Sequence, residues 1–529
     1  MAKKTKHQSN DGPYYHRDHK RPVSRRDFLG QGFLAGSGLV LGSSPLLSLF
    51  ASPGVANATL SSDMQALQTA CGITSVGAGK VPFICFDLAG GANIAGSNVL
   101  VGGRGGQLDF LSTAGYSKLG LPGDMLPSVS QGNFINTDMG LAFHSDSAFL
   151  RGITDILGAG DPDGVLANTN GAIIPARSGN DTANNPHNPM YGIYKAGARG
   201  ELLDLIGSRN SESGGNSVAP PTMIDVEARP TKVDRPSDVQ GMVDTGNLVD
   251  ANTKDSTDAV KVMESVARLS RKKLNKVSTG LSTDTAIKDK IECAYVKSAG
   301  LVDRYGDPAT LNPDPSVDTE VAEIFRTTDF STLAGRDRSE FQKTASVMKL
   351  VVNGYAGAGT IQMGGFDYHT GNRSVGEDRD FRAGQCMGAC LRYAAKRSQP
   401  LMLYVFSDGS VSSNGTLDNS AAGRGKGVWT GDNGSTAASF FLVYNPGGRP
   451  VLRNTAGDST VHQQIGYMDS GASTITSSSP AANNVNLLVE MMVLNYMALH
   501  SEQGNFSTLF PNHGLGSDLD KYLAFNSIV

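Results

Sequence analysis

Alternating strand-like and helix-like segments predict an α/β fold for this chain. An apolar run at residues 80–88 ends in the Gly-rich loop 89–93. A second apolar run, at residues 400–406, follows a helical pattern and stops at a polar turn, 407–410. Loops at the carboxyl ends of strands are where open α/β sheets place their ligands, so both turns are candidate functional positions.

The remaining elements follow from the hydrophobic periodicity along the chain. The strand-like runs are short, apolar and flanked by polar or Gly-rich turns, and they cover residues 80–88, 359–363, 400–406 and 438–444. The helix-like segments carry apolar residues at helical spacing and cover residues 258–276, 339–355, 380–396 and 485–500. A stretch rich in Ser, Asn, Asp and Pro begins at Ser208 and predicts an inserted, loop-rich arm at about 208–280.

The N-terminal 58 residues have the layout of an export signal. A basic stretch precedes the adjacent pair Arg25-Arg26, a Gly-rich apolar segment covers residues 33–50, and the small-x-small site Ala56-Asn57-Ala58 follows. The segment resembles a twin-arginine signal, which implies the twin-arginine translocase as a partner and a periplasmic or secreted location. A retained membrane anchor is the alternative, but glycines and Pro45 interrupt the apolar run, and no stable membrane insertion is expected after cleavage.

Charge and cysteine content exclude some function classes. Of the 46 Lys and Arg and 50 Asp and Glu residues, 8 basic and 3 acidic ones lie in residues 1–58, which leaves residues 59–529 with a net charge of −9. Such an acidic chain is not expected to bind nucleic acid. The five cysteines leave at least one free thiol, and we expect all five to be buried and inert.

Acidic and imidazole side chains stand in the turns beside the predicted strands. Asp367 and His369 follow one strand, Asp408 follows the next, and Asp432 precedes a fourth. Carboxylate and imidazole groups at one sheet edge can hold a divalent metal and leave a coordination position open. Taken singly, each Asp is also suited to capping a turn or a helix.

These turns resemble the motifs of an exported bacterial family, domain of unknown function 1501, in the alkaline-phosphatase and sulfatase-like superfamily. Four segments carry the resemblance, in the family's order and over most of the chain from about residue 80: Gly90-Gly91-Ala92-Asn93, Gly364-Gly365-Phe366-Asp367-Tyr368-His369, Ser407-Asp408-Gly409-Ser410 and Thr430-Gly431-Asp432-Asn433-Gly434. The resemblance implies one alkaline-phosphatase-like domain over residues 59–529, with a mixed, mostly parallel sheet flanked by helices. It also implies metal-dependent hydrolysis of phosphate or sulfate esters.

Two departures from the family pattern imply a depleted metal site. Asn93 stands where the family has Asp, and Asn433 stands where it has His. The resemblance therefore implies one divalent ion rather than two, held by Asp367, His369 and Asp408 with Asp432 and Asn93. Oxygen-rich ligands favour calcium, magnesium or manganese over zinc.

The resemblance also points to a nucleophile in the polar loop at residues 175–182. Ser178 and Asp181 match the family's Ser-His-Phe-Asp segment, and Thr182 offers a further hydroxyl. Arg177 could hold a phosphate or sulfate group. An ordinary surface loop is the alternative for this segment, because no neighbouring base is evident.

Two other functions stay open at this point. Asp408-Gly409-Ser410-Val411-Ser412 fits the Asp-x-Ser-x-Ser pattern of a metal-dependent adhesion site, although so short a pattern is common by chance. The chain could also be a non-catalytic periplasmic binding or assembly factor that keeps at most one structural ion. The substrate, whether a small molecule or a polymer, does not follow from the sequence.

Overall fold

A computed structural model describes residues 60–71, 79–129, 134–179, 184–242, 257–305, 311–453 and 463–529. The predicted signal at 1–58 lies outside these ranges. Within them, no helix combines the length and the apolar character needed to cross a membrane.

Strands and helices alternate along much of the chain. The strands are β1 Phe83–Ala89, β2 Ile135–Asn136, β3 Phe143–His144, β4 Thr169–Pro175, β5 Leu203–Gly207, β6 Thr231–Lys232, β7 Ala356–Gly364, β8 Leu401–Ser407, β9 Val411–Asp418, β10 Lys426–Asp432 and β11 Ala438–Tyr444. The helices are α1 Ser62–Ala70, α2 Thr113–Lys118, α3 Ala148–Leu157, α4 Met190–Lys195, α5 Pro236–Gln240, α6 Thr257–Leu274, α7 Asp284–Tyr305, α8 Thr319–Phe325, α9 Gly335–Val352, α10 Ser374–Lys396, α11 Val485–Ala498 and α12 Phe506–Leu509.

A seven-stranded sheet in the order β4-β11-β8-β1-β7-β5-β6 forms the centre of the larger unit. The pairs that β1 makes with β7 and β8, and β5 with β7 and β6, are parallel, whereas β11 is antiparallel to both of its neighbours. The predicted α/β fold is confirmed at this level: the sheet is mostly parallel and flanked by helices. Its central strands β1 and β8 are almost completely buried, as expected for strands covered on both faces.

Alternate residues of the strands pack on opposite faces of the sheet. On one face, Cys85, Tyr404 and Phe441 share a core with apolar residues of α4 and α11. On the other face, Phe440 packs against Phe149 of α3, with ring centroids 5.9 Å apart. Helix α9 packs on β7, the strand next to β1. The contact is close, because a β-carbon at Gly359 of β7 would lie 2.5 Å from a methyl carbon of Val347 in α9.

A smaller unit contains α1, α6 and most of α7, over residues 60–71 and 257–304. A disulfide joins Cys71, at the end of α1, to Cys293 in α7. Glu264 of α6 accepts hydrogen bonds from the backbone N–H (2.6 Å) and the hydroxyl (2.8 Å) of Ser61, so the segment that begins α1 is bonded to α6 as well.

The expectation for the cysteines is partly wrong. Cys71 and Cys293 form the disulfide rather than staying as inert thiols. Cys85, Cys386 and Cys390 are free and buried, and burial raises the pKa of each thiol, so these three agree with the prediction.

The region predicted as one insertion at about 208–280 is divided in the structure. Residues 208–242 belong to the larger unit, where β6 adds an edge strand next to β5. Residues 257–304 belong to the smaller unit, and residues 243–256 lie outside the described ranges. The single-domain assignment with one insertion stays a prediction.

Candidate metal centre and buried polar cluster

The loops with the predicted site residues meet at the carboxyl edge of the sheet. β1 and β7 end side by side, and the Phe366 N–H donates to the carbonyl of Ala89 at 3.0 Å. A β-carbon at Gly90 would lie 2.2 Å from the Asp367 nitrogen, and Gly90 has a φ of +128°. A side chain at position 90 would therefore displace the loop that carries Asp367.

Asp367, His369 and Asp432 form a compact group, which we call the metal trio. One ligand atom of each lies within 4.8 Å of the others. His369 Nε2 lies 2.5 Å from Asp367 Oδ1 and 3.7 Å from Asp432 Oδ1. Both carboxylates are about half exposed and the imidazole less so. The structure thus brings together three of the five residues predicted as metal ligands, and these three side chains could hold a metal ion.

Local structure explains how Asp432 reaches the trio from a distant segment. Asp432 ends β10, and the next N–H, that of Asn433, donates to the carbonyl of Ser410 at 2.7 Å. The Asn433 side chain turns away to cap the following 3₁₀ turn, accepting hydrogen bonds from the backbone N–H (3.1 Å) and hydroxyl (2.7 Å) of Ser435. Asn433 therefore acts as a cap where the resembled family has a metal-binding His.

The donor set of the trio suits a divalent cation. Two carboxylates and one imidazole provide hard oxygen ligands and one borderline nitrogen ligand, which manganese, magnesium and zinc sites share. Three protein ligands leave coordination positions for water or a substrate oxygen. The exposed face of the trio is compatible with such an open site.

Asp408 is not brought into the metal trio. Its carboxylate is fully buried and accepts hydrogen bonds from the Ser217 hydroxyl and, at 2.9 Å, from Asn216 Nδ2. Asp87, in the middle of β1, accepts from the backbone N–H groups of Asn216 (2.5 Å) and Ser217 (2.8 Å). Asp87, Asp408, Asn216 and Ser217 thus form a buried polar cluster that anchors the loop after β5 to the two central strands.

The two carboxyl groups of the buried polar cluster repel each other. Burial and, secondarily, the neighbouring Asp408 charge raise the pKa of Asp87 to about 7. Near neutral pH the cluster therefore holds a proton that an exposed pair of aspartates would lose. A carboxyl group with these properties is a poor metal ligand unless a cation displaces the proton.

Asn93 also lies away from the trio's exposed face. It is fully buried, its N–H donates to the Tyr368 hydroxyl at 2.8 Å, and its Oδ1 accepts from Ser97 at 2.6 Å. Its Nδ2 makes no hydrogen bond within the described part of the chain. The side-chain oxygen of Asn93 is thus taken up inside the protein by the Ser97 hydroxyl.

Ser178 has a histidine partner that sequence reasoning missed. Its hydroxyl lies 2.9 Å from His187 Nε2 and donates to the carbonyl of Asp408. His187 is 2 % exposed and stacks on Phe406 with the rings 8° from parallel. Burial lowers the pKa of His187 to about 3, so the ring is neutral, and its Nδ1 has no hydrogen-bond partner in the described residues.

The other predicted catalytic residues, Asp181 and Thr182, lie outside the described residues. Arg177 is exposed, and its Nε donates to the carbonyl of Thr474 at 3.3 Å. The Asp-x-Ser-x-Ser pattern is not assembled as an adhesion site would need, because the Asp408 carboxylate bonds to residues 216 and 217 while Ser410 accepts from Thr436.

Some of the missed residues carried a sequence signal. Asp87 is a charged residue inside an otherwise apolar strand, which is rare without a buried partner. His187 and Ser217 gave none, because both lie in polar, Pro-containing loops whose contacts depend on the tertiary fold.

Comparison with protein-family models, with curated proteins and with solved structures found no match to this chain.

Proposed function

We propose that this chain is an exported hydrolase of phosphate or sulfate esters that uses a single divalent ion. The observation that carries the proposal is the metal trio, whose three ligand atoms lie within 4.8 Å of one another at the carboxyl edge of a mostly parallel sheet. The alkaline-phosphatase-like fold is part of the proposal and rests on the resemblance of the four motifs.

The chemistry follows from the open side of the trio. An ion at Asp367, His369 and Asp432 would polarise an ester oxygen. Ser178 is the proposed nucleophile, supported by the 2.9 Å contact between its hydroxyl and His187 Nε2, which can accept the serine proton in one tautomer. The proposal assigns one ion rather than two because Asn433 serves as a cap and Asp408 as an internal hydrogen-bond acceptor.

Two observations support an exported location. The N-terminal layout around Arg25-Arg26 is that of a twin-arginine signal. The Cys71–Cys293 disulfide suits an oxidising compartment, where such bonds form and persist. The translocase is the proposed partner during export.

A non-catalytic binding or assembly factor is the second candidate, and Ser178 gives a specific reason to keep it. The serine hydroxyl has one proton and donates it to the carbonyl of Asp408. In that arrangement His187 must be the donor to Ser178, which removes its function as a base. Burial lowers the pKa of His187, so the surroundings of the ring disfavour the imidazolium ion that a general base has to become.

Metal analysis combined with an ester panel separates the two candidates. The mature protein is titrated with magnesium, calcium, manganese and zinc, and hydrolysis of aryl phosphates and aryl sulfates is followed with each. We expect one equivalent of ion, turnover that requires it, and loss of both in Asp367→Ala but not in Asp124→Ala, a control at an exposed turn. No turnover on any ester, with one bound ion or with none, contradicts the hydrolase and supports the second candidate, which keeps at most one structural ion.

A further inference from the structure

We propose that Arg379 binds the anionic group of the ligand beside the metal trio, as a recognition residue for phosphate or sulfate. The inference deepens the proposed function and rests on it for the identity of the ligand. Arg379 lies in the second turn of α10, the helix that follows the loop carrying Asp367 and His369.

The guanidinium group of Arg379 packs directly on the turn that precedes Asp367. A β-carbon at Gly365 would lie 2.7 Å from both Cζ and Nη1 of Arg379 and 3.0 Å from Nη2. Gly365 has a φ of +91°, which L side chains rarely adopt. The glycine therefore permits a close approach of a flat cation to the backbone.

This approach places the guanidinium over a residue that stands two positions before Asp367 of the metal trio. Gly365 and Asp367 are two residues apart, so their α-carbons are separated by at most about 7.6 Å. Ligand oxygens that contact an ion at the trio and a guanidinium over Gly365 could thus belong to one small anionic group or to one ester.

Arg379 lacks the acidic partner that a partly buried arginine normally has. Among the described residues, none forms a hydrogen bond or an ion pair with it, and its Nε is buried without a partner. Asp378, the acidic group beside it, is already bonded to Arg382 at 3.2 and 3.3 Å. The guanidinium group of this partly buried residue is therefore not taken up by the described residues and is left for a ligand.

Two further arginines, Arg336 and Arg382, lie close enough for their charges to act on Arg379. Partial burial lowers the pKa of Arg379, and the Arg336 charge acts in the same direction, as does Arg382 to a smaller extent. Arg382 is already paired with Asp337 and Asp378, so Arg379 and Arg336 are the cations that remain to attract an anion. A guanidinium fork matches two oxygens of a phosphate or sulfate, which a lysine ammonium does not.

Calorimetric titration with inorganic phosphate tests this inference, with phenyl phosphate as a second arm that distinguishes a free anion from an ester. Both titrations use the mature protein, once with magnesium and once with EDTA. In Arg379→Gln we expect at least a tenfold weaker affinity for the preferred anion. Arg338→Gln, which removes an exposed arginine from α9, should bind like the wild type. Arg379→Lys should be several-fold weaker than the wild type and serves if the Gln variant does not fold.

The outcomes separate the inference from the proposed function. Unchanged anion affinity in both Arg379 variants, or no anion binding by the wild type, overturns the inference even if the metal trio binds its ion. Arg379-dependent anion binding in a protein that binds no metal supports the inference and contradicts the proposed function. Equal losses in Arg379→Gln and Arg338→Gln would show a non-specific charge effect and would also overturn it.

Discussion

The metal trio and the buried polar cluster lie at the same edge of one sheet, but their aspartates differ in environment. Asp367 and Asp432 have about half of their side-chain surface exposed, with His369 beside them. Asp87 and Asp408 are fully buried, and their oxygens are taken up by backbone and side-chain donors of Asn216 and Ser217.

This difference teaches that position at a strand end is not enough to make a ligand. Asp408 follows β8 and Asp367 follows β7, the two strands that flank β1. Of the two, only Asp367 belongs to the group that could hold an ion. The loop at residues 208–217 covers the end of β8 and uses Asp408 as an acceptor. We therefore expect the two groups to respond oppositely to substitution, the trio in ligand affinity and the buried cluster in stability.

Removing the Asp87 carboxylate should have the largest effect. Asp87→Ala leaves the backbone N–H groups of Asn216 and Ser217 without their acceptor, and each orphaned buried donor costs about 2 kcal/mol. We expect the free energy of unfolding to fall by about 4 kcal/mol, measured by urea denaturation. Metal affinity of the folded variant should stay near that of the wild type. A loss below 1 kcal/mol would contradict the structural role of the cluster.

Removing a trio ligand should change affinity instead of stability. His369→Ala should weaken binding of the preferred divalent ion on the order of 100-fold, because the imidazole is one of three protein ligands. The free energy of unfolding without metal should change by less than about 0.5 kcal/mol, as is usual at exposed positions. His513→Ala, at another histidine outside the trio, is the matched control for calorimetry. Equal metal affinity in both variants would exclude the trio as the site.

The pH dependence of stability should distinguish the buried carboxyl group. The pKa of Asp87 is raised from 3.8 to about 7, so the folded state is favoured by protonation. This contribution is fully present below about pH 4 and is lost as the pH rises through about 7. Asp87→Asn keeps an acceptor for the two N–H groups and cannot ionise. Its stability relative to the wild type should therefore increase by about 4 kcal/mol between pH 4 and 8, at about 1.4 kcal/mol for each pKa unit of the shift.

If the free energies of unfolding of Asp87→Asn and the wild type change equally with pH over that range, Asp87 does not titrate as stated. Asp380→Asn provides a comparison, because burial also raises the pKa of Asp380 to about 7 at a site away from Asp408. An effect in both variants would show that buried carboxyl groups titrate over this range, at Asp87 beside Asp408 and at Asp380 beside Glu377.

The effect on stability at Ser178 should be smaller than at Asp87, because Ser178 donates one hydrogen bond to the backbone of the buried cluster. Ser178→Ala removes hydrogen bonds to His187 and the Asp408 carbonyl and should cost about 1 kcal/mol. Metal affinity should not change. If Ser178 is the nucleophile, ester hydrolysis is lost, whereas Ser478→Ala, at a serine whose hydroxyl has no partner in the described residues, should retain it. Retained hydrolysis in Ser178→Ala would remove the serine from the proposed reaction.

The strongly apolar elements could be predicted from the sequence because their patterns are local. The predicted strand at 438–444 coincides with β11, and the predicted helix at 485–500 ends two residues beyond α11. The helix predicted from residue 380 begins earlier, at Ser374. Its first turns are polar and therefore lack the apolar pattern that predicts a helix. Glu377 in these turns is buried together with Arg373, the residue before the helix. β4 was not predicted, since Asn170, Gly171 and Pro175 are unfavourable in isolated strands.

The site residues also divide into those that the local sequence predicts and those that depend on distant parts of the chain. Asp367, His369 and Asp432 could be predicted because each stands directly beside a recognisable strand. The burial of Asp408 could not, because it depends on Asn216 and Ser217, which are 192 and 191 residues away in the chain. Arg379 gave no signal either, since its environment is the backbone of Gly365 and the charges of other helices.

The Cys71–Cys293 bond makes a covalent ring of the chain between these residues, a segment that includes β1 and β4 to β6. A protease cut anywhere within this ring leaves the two fragments joined as one molecule until the bond is reduced. A nicked protein should therefore migrate as an intact chain on a non-reducing gel and as two fragments after reduction. In a compartment that contains proteases, strands contributed by the ring would stay tethered to the rest of the sheet after a single cleavage.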